Sequence, residues 1–246
     1  MLPRCLLLWC PTLLLLCLTT SVQAQWGHFK GRIVVDRLPA VKLLVEPGTL
    51  PAAPAGVPDE KLVVDKVTLG LANVLIYPKK RPSPVHPDLK EPAREILLAQ
   101  IVAARQTPHV LVIQTNQKLQ LASADPGPQN FRTTLFKNPR IDITLEPGRP
   151  HPPSQFVQRE PLPADVRSDI HPWMQSYWLI VDHPYAAKTD ERGEFEIRNL
   201  PVGEHQFRIW HETKGYLEQS LRIVIGDGQT TVHDMSLVTA ELLSRP

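Results

Sequence analysis

Val166-Arg167-Ser168-Asp169-Ile170-His171-Pro172-Trp173-Met174 is the stretch on which the reading of this chain turns. It is a short polar segment, interrupted by a proline, that leads into the apolar run Tyr177 to Val181. That run reads as a strand buried on both faces. The loop before it carries an imidazole at His171 and a thioether at Met174. Closely spaced imidazole, thioether and thiolate groups are the donors of a blue-copper centre. Two of the three are present, and Ser168 offers only a hard, neutral oxygen.

Moving outward, the rest of the chain reads as all-β. Apolar β-branched runs occur at Arg32 to Val35, Asn73 to Tyr77 and His109 to Ile113. Alternating runs occur at Lys118 to Ala122, Arg140 to Leu145 and Gln206 to Ile209. Alternation with period two marks a half-buried strand. Proline and glycine clusters at Pro47 to Pro58, Pro78 to Pro92 and Pro147 to Pro163 punctuate these runs. One segment points elsewhere: Pro92-Ala93-Arg94-Glu95 followed by Ile96 to Arg105 is rich in alanine and leucine, with proline well placed for a helix start. Local propensity predicts a short helix there, while its position between two strands allows a strand or an irregular crossing. In the tail, Thr189 to Ile197 reads as a glycine-closed hairpin. Further turns at Leu200 to Glu204 and Gly226 to Gly228 separate short strands, the grammar of a β-sandwich.

Residues 1–24 read as an export leader. Arg4 supplies the positive charge, Leu6 to Leu18 the apolar run, and Val22-Gln23-Ala24 a small-residue cleavage site. All three cysteines, Cys5, Cys10 and Cys17, lie in that leader. The chain after it can have no disulfide, catalytic thiol or thiolate–metal bond. About 220 residues remain, enough to bury a sizeable core. Only one formal charge leaves with the leader, so the remainder stays near neutral, which argues against a nucleic-acid partner. After leader removal no segment is long and apolar enough for a membrane-spanning helix. The expected location is the periplasm or the extracellular space.

Two resemblances follow from specific motifs. Pro108-His109-Val110-Leu111-Val112, Asp125-Pro126-Gly127-Pro128-Gln129-Asn130, Ser168 to Met174, and Asp182-His183-Pro184-Tyr185-Ala186-Ala187-Lys188-Thr189-Asp190 resemble the hallmarks of exported bacterial cupredoxin-like (methylamine-utilisation-like) proteins. Thr189 to Trp210 resembles the carboxypeptidase-regulatory-like, or transthyretin-like, sandwich, whose relatives serve as accessory modules in carbohydrate-active proteins. The fold implied is all-β: a cupredoxin-like Greek-key β-sandwich combined with a carboxypeptidase-regulatory-like (carbohydrate-binding-like) β-sandwich. The implied divisions are 25–92 for N-terminal strands and proline-rich loops, 93–182 for the cupredoxin-like unit and 183–246 for the second sandwich. The resemblance also raises a split sandwich, in which early strands near 31–35 and 73–77 join the late sandwich and the cupredoxin-like unit is inserted between; two sequential domains are the alternative.

In the family pattern the loop histidine falls at Gln129 and the cysteine at Ser168. His171 and Met174 remain as residual ligand positions. Half of the donor set is lost, so no type-1 copper is expected. A weak site completed by His109 or His183 is one alternative, and packing of the loop by His171 and Met174 is the other. No catalytic constellation is present: there is no G-x-S-x-G elbow and no H-E-x-x-H helix. Trp173, Tyr177, Trp178, Trp210 and His211 form a candidate binding surface, either a stacking platform for a sugar or a docking patch, with core packing as the bland alternative. The expected function is a non-enzymatic, cofactor-free exported binding or scaffold protein whose partner is a glycan or a cell-envelope protein. The competing readings are periplasmic copper electron transfer, which intact relatives imply, and a polysaccharide-lyase-associated module.

Overall fold

The computed structural model describes residues 25–244, so the leader expected at 1–24 lies outside the described residues. The fold is all-β, built from two sandwiches that share a buried apolar layer. In the first sandwich one sheet runs in the order Asp142–Leu145, Gln129–Thr134, Ala164–Arg167, Gln175–Val181, Val110–Gln114. The facing sheet runs Ser154–Gln155, Lys118–Ser123, Ile96–Val102, Arg105–Thr107. Each sheet contains one parallel pair. Between them lie Ile101, Ile113, Leu119, Leu121, Phe131, Val166, Trp178 and Ile180, all essentially sealed from water.

The second sandwich is assembled from both ends of the chain. One sheet joins Glu194–Pro201, Trp26–Val35 and Thr230–Val232, with Met235–Leu237 pairing further along Trp26–Val35. The other joins Ala187–Lys188, Leu75–Pro78, Gly203–His211 and Gly215–Ile225. Gly31 stands opposite Phe195, and Ile76 opposite Ile209. Strands that precede the first sandwich in sequence therefore pair with strands that follow it. Phe29, Ile33, Leu71, Ile76, Tyr185, Phe207 and Ile209 form this core.

A third cluster joins the two. Leu75, Tyr77, Val110, Leu179, Val181 and Trp210 pack together, with Val112, Tyr177 and Tyr216 against them. Alternation explains the arrangement: on Gln175–Val181, Trp178 and Ile180 enter the first core, while Tyr177, Leu179 and Val181 face the shared layer. A strand buried on both faces reads as an unbroken apolar run, as this one does.

The helix expected over 96–105 is not formed. Ile96–Val102 is a strand, paired in parallel with Lys118–Ser123 from Ile96↔Lys118 to Ile101↔Ser123. Ala99 and Ile101 point into the core while Ile96 and Leu98 are exposed, so burial overrides helix propensity. The strand ends in a turn with Ala103 and Ala104 at φ 54° and 57°. That conformation disfavours alanine. It is held by the Asp125 carboxylate, which accepts both amides at 2.7 and 2.6 Å. The late hairpin behaves as its sequence suggests: Asp190 Oδ1 accepts the amides of Arg192 and Glu194, both at 2.9 Å. Gly193 sits at φ 78°, where a Cβ would run into the Ile33 carbonyl. No described helix is long and apolar enough to cross a membrane.

Because the two sandwiches share this layer, they are expected to unfold as one cooperative unit. Leu179 is 1% exposed, and Leu179→Ala is expected to cost about 3 kcal/mol. Fluorescence of Trp178 and Trp210 and far-ultraviolet dichroism should then fall together in one denaturant transition at a lower midpoint. Two separated transitions would show that the sandwiches unfold independently.

Candidate functional site

The loop that precedes Gln175–Val181 is closed by Ser168. The side chain of Ser168 is buried, and its Oγ accepts the amides of Ile170 and His171 at 3.2 and 3.1 Å. Its own amide donates to the Met174 carbonyl at 3.3 Å, and the Met174 amide donates to the His171 carbonyl at 2.9 Å. A serine hydroxyl that takes local amides in this way is a turn-forming device. The loop is fastened to the neighbouring strand through Asn130, whose Oδ1 accepts the Asp169 amide at 2.9 Å. Arg132 adds an ion pair to Asp169 at 3.2 Å.

Gln129, next to that asparagine, is buried, and its Oε1 has no hydrogen-bond partner. Met174 is 2% exposed and belongs to the first core. His171 is half-buried, with its ring 4.8 Å from that of Trp173. Trp173 is itself tied down, its Nε1 donating to the Ala104 carbonyl at 3.1 Å. These residues do not fit a blue-copper centre. Where the thiolate would stand there is a hydroxyl already engaged by two amides, and the thioether packs among apolar side chains. Among the described residues no three His, Cys, Asp or Glu side chains are grouped to hold a metal. His183, considered above as a further ligand, is buried. Its Nδ1 accepts the Tyr185 amide at 3.2 Å, and burial pulls the imidazole down to about 4.

The expected aromatic surface needs correction. Trp178 is 0% exposed, wedged against Phe131 and Phe156. Trp210 is buried because its side of Gly203–His211 faces the shared layer, and His211 is also buried, its Nδ1 hydrogen-bonded to Thr213 Oγ1 at 2.9 Å. Burial lowers the His211 imidazole to about 4. Tyr177 is half-buried, edge-on to Trp210 at 5.1 Å. Of the five residues, only Trp173 and Tyr177 retain partial exposure, and they do not form a platform with the other three.

A charged cluster at the junction escaped the sequence reading. His109 Nε2 hydrogen-bonds Glu212, which lies just past Gly203–His211. Their side chains are 8% and 3% exposed. Glu60 approaches His109 Nδ1 at 4.0 Å and is bridged by Arg105 at 3.1 Å. Together with Trp173 and Met174, these side chains line a cavity of about 30 Å³, room for a single water. Burial pulls the His109 imidazole down, but the hydrogen bond and charge of Glu212, aided by Glu60, outweigh it and raise it above its ordinary value. Burial also lifts the Glu212 carboxyl, and His109 only partly offsets that. No local sequence signal could reveal this pair, since its members lie 103 residues apart.

No protein-family profile and no curated protein matches the chain. Solved structures similar to parts of it include a copper-containing nitrite reductase from Thermus scotoductus SA-01, at 18% identity and TM-score 0.32, covering 41% of this chain and 25% of that one. Amicyanin from Paracoccus versutus matches at 14% identity and TM-score 0.29, covering 44% of this chain and 98% of that one. A purple cupredoxin from Nitrosopumilus maritimus matches at 16% and 0.28, covering 34% and 97%. The chain thus spans a quarter of the nitrite reductase.

Because both His109 and Glu212 are raised, the native state holds more protons than the unfolded chain, and stability falls as pH rises. The histidine's contribution is full below its ordinary value of 6.5 and is lost as pH climbs through the raised folded value. Glu212→Gln leaves a buried imidazole without its counter-charge and is expected to cost about 3 kcal/mol. Denaturant midpoints followed upward from pH 6.5 should decline in the parent protein and stay nearly level in the variant. Equal slopes would remove the pair as the cause.

Proposed function

We propose that this chain is a non-enzymatic binding protein, exported to the periplasm or beyond, in which a cupredoxin-like unit without type-1 copper serves as scaffold. Its partner is a glycan or another cell-envelope protein. The observation that carries the reading is the engagement of Ser168 Oγ by two backbone amides, which closes the loop without any metal. The cupredoxin-like assignment of the first unit draws on the motifs around His109, Gln129, Ser168 and His183. The parallel pairs of its two sheets agree with it. The buried Gln129 amide supports the loss of copper, since an amide oxygen is a poor donor beside an imidazole. Electron transfer by copper, the competing reading, requires a soft thiolate that the loop lacks.

Copper addition separates the two readings. Purified protein with Cu(II) should develop no intense visible charge-transfer band and should retain no stoichiometric copper after desalting. A double variant, Gln129→His with Ser168→Cys, should gain such a band, because it restores the missing imidazole and thiolate beside His171 and Met174. An intense band in the parent protein would overturn the proposal. Ser168→Ala should destabilise by about 1–3 kcal/mol, the cost of leaving two loop amides without their acceptor, as read from the denaturation midpoint.

A further inference from the structure

An open hollow of about 650 Å³ lies where Trp26–Val35 begins, lined chiefly by Trp26, Arg81, Pro84, Val85, Pro87 and Lys90. Its floor is apolar and its rim is basic. Trp26 is half-buried, and its ring meets the His86 ring edge to face, with centroids 4.8 Å apart. The loop that carries His86 is anchored: its amide donates to Tyr185 Oη at 3.0 Å, and Tyr185 is wholly buried in the second core. His86 Nδ1 then accepts the Asp88 amide at 3.2 Å, capping a 3-10 turn at Pro87–Leu89. Three prolines, Pro82, Pro84 and Pro87, stiffen the segment further. The hollow is therefore preorganised, which lowers the entropic cost of binding.

Charge sets the ligand class. Arg81 and Lys90 line the rim, Lys79 and Lys80 precede them in sequence, and these four cations outnumber the two local carboxylates, Asp88 and Glu91; Asp88 lies 3.8 Å from the His86 ring. Arg81 and Lys90 are exposed and form no ion pair among the described residues. A neutral sugar would leave both cations idle. An extended acidic peptide finds little backbone to pair with: the prolines lack N–H groups, and the start of the Trp26–Val35 strand is already flanked on both sides. A flat ring with apolar C–H faces and one carboxylate uses both the floor and the rim.

We propose that this hollow binds a uronic-acid sugar of an acidic polysaccharide, packed against Trp26 and paired through its carboxylate with Arg81 and Lys90. The inference rests on the binding-protein reading above and names the ligand class and the site.

Titration of the purified protein with oligogalacturonate, followed by calorimetry, tests it. Binding should be observed, should weaken as salt rises, and should be absent for a neutral galactose oligomer of the same length. The double reversal Arg81→Glu with Lys90→Glu changes only exposed side chains, so the fold should persist by circular dichroism while affinity drops by at least about tenfold. Trp26→Phe should weaken binding less than Trp26→Ala. Equal affinity in the charge-reversed variant, equal binding of the neutral oligomer, or stronger binding of poly-glutamate or anionic phospholipid vesicles would each overturn the proposal. A glycan array that shows binding undiminished by the reversal would sink this site while leaving the binding-protein reading intact. Loss of the binding-protein reading itself would appear as an intense copper band in the separate metal titration.

Discussion

The structure depends on one shared apolar layer. Leu179, Val181 and Val110 on the first sandwich press against Leu75, Tyr77 and Trp210 on the second. The constraint falls hardest on Gln175–Val181, which must serve two cores at once. Trp178 and Ile180 fill one of them, and the alternate residues fill the layer between. A strand with no solvent face can accept no polar side chain in its centre without a buried partner. The polar groups of this region are accordingly displaced to its rim, where His109, Glu212, Glu60 and Arg105 meet. A buried ion pair of this kind adds less to stability than it costs when broken. It also fixes how the start of Val110–Gln114 sits against the end of Gly203–His211.

The loop from Ser168 to Met174 is built on the same economy of hydrogen bonds. A thiolate in that position would call for a cation. A hydroxyl instead accepts the Ile170 and His171 amides and adds no charge to the loop. Met174 moves no charge and fills space in the first core, a role suited to a flexible thioether. Gln129 is an unresolved remnant: its carbonyl oxygen is buried without a partner. Such an orphan carries a desolvation cost that a smaller apolar residue would avoid.

Much of the architecture was legible because strand alternation reports directly on burial. The runs at Arg32 to Val35, Asn73 to Tyr77 and Tyr177 to Val181 all lie within or against strands. The hairpin at Thr189 to Ile197 was legible for a local reason, the aspartate whose carboxylate closes its own turn. What could not be read was set by distant contacts. Ile96–Val102 becomes a strand because Lys118–Ser123 lies beside it, and helix propensity cannot register that neighbour. Trp210 lies near the end of an alternating strand, and nothing in that pattern says the face it occupies is covered by the other sandwich. Trp26 was passed over because a single aromatic next to an expected leader carries no periodic signal; its significance comes from Arg81 and Lys90, which are far from it in sequence.

The pairing of Trp26–Val35 with both Glu194–Pro201 and Met235–Leu237 has a kinetic consequence. During synthesis Trp26–Val35 has no complete sheet to join until Met235–Leu237 has followed it. The first sandwich can close on contacts within its own stretch, but the second waits for residues about two hundred positions downstream, a separation that slows folding through the entropy of loop closure. In that interval Phe29 and Ile33 remain without their core.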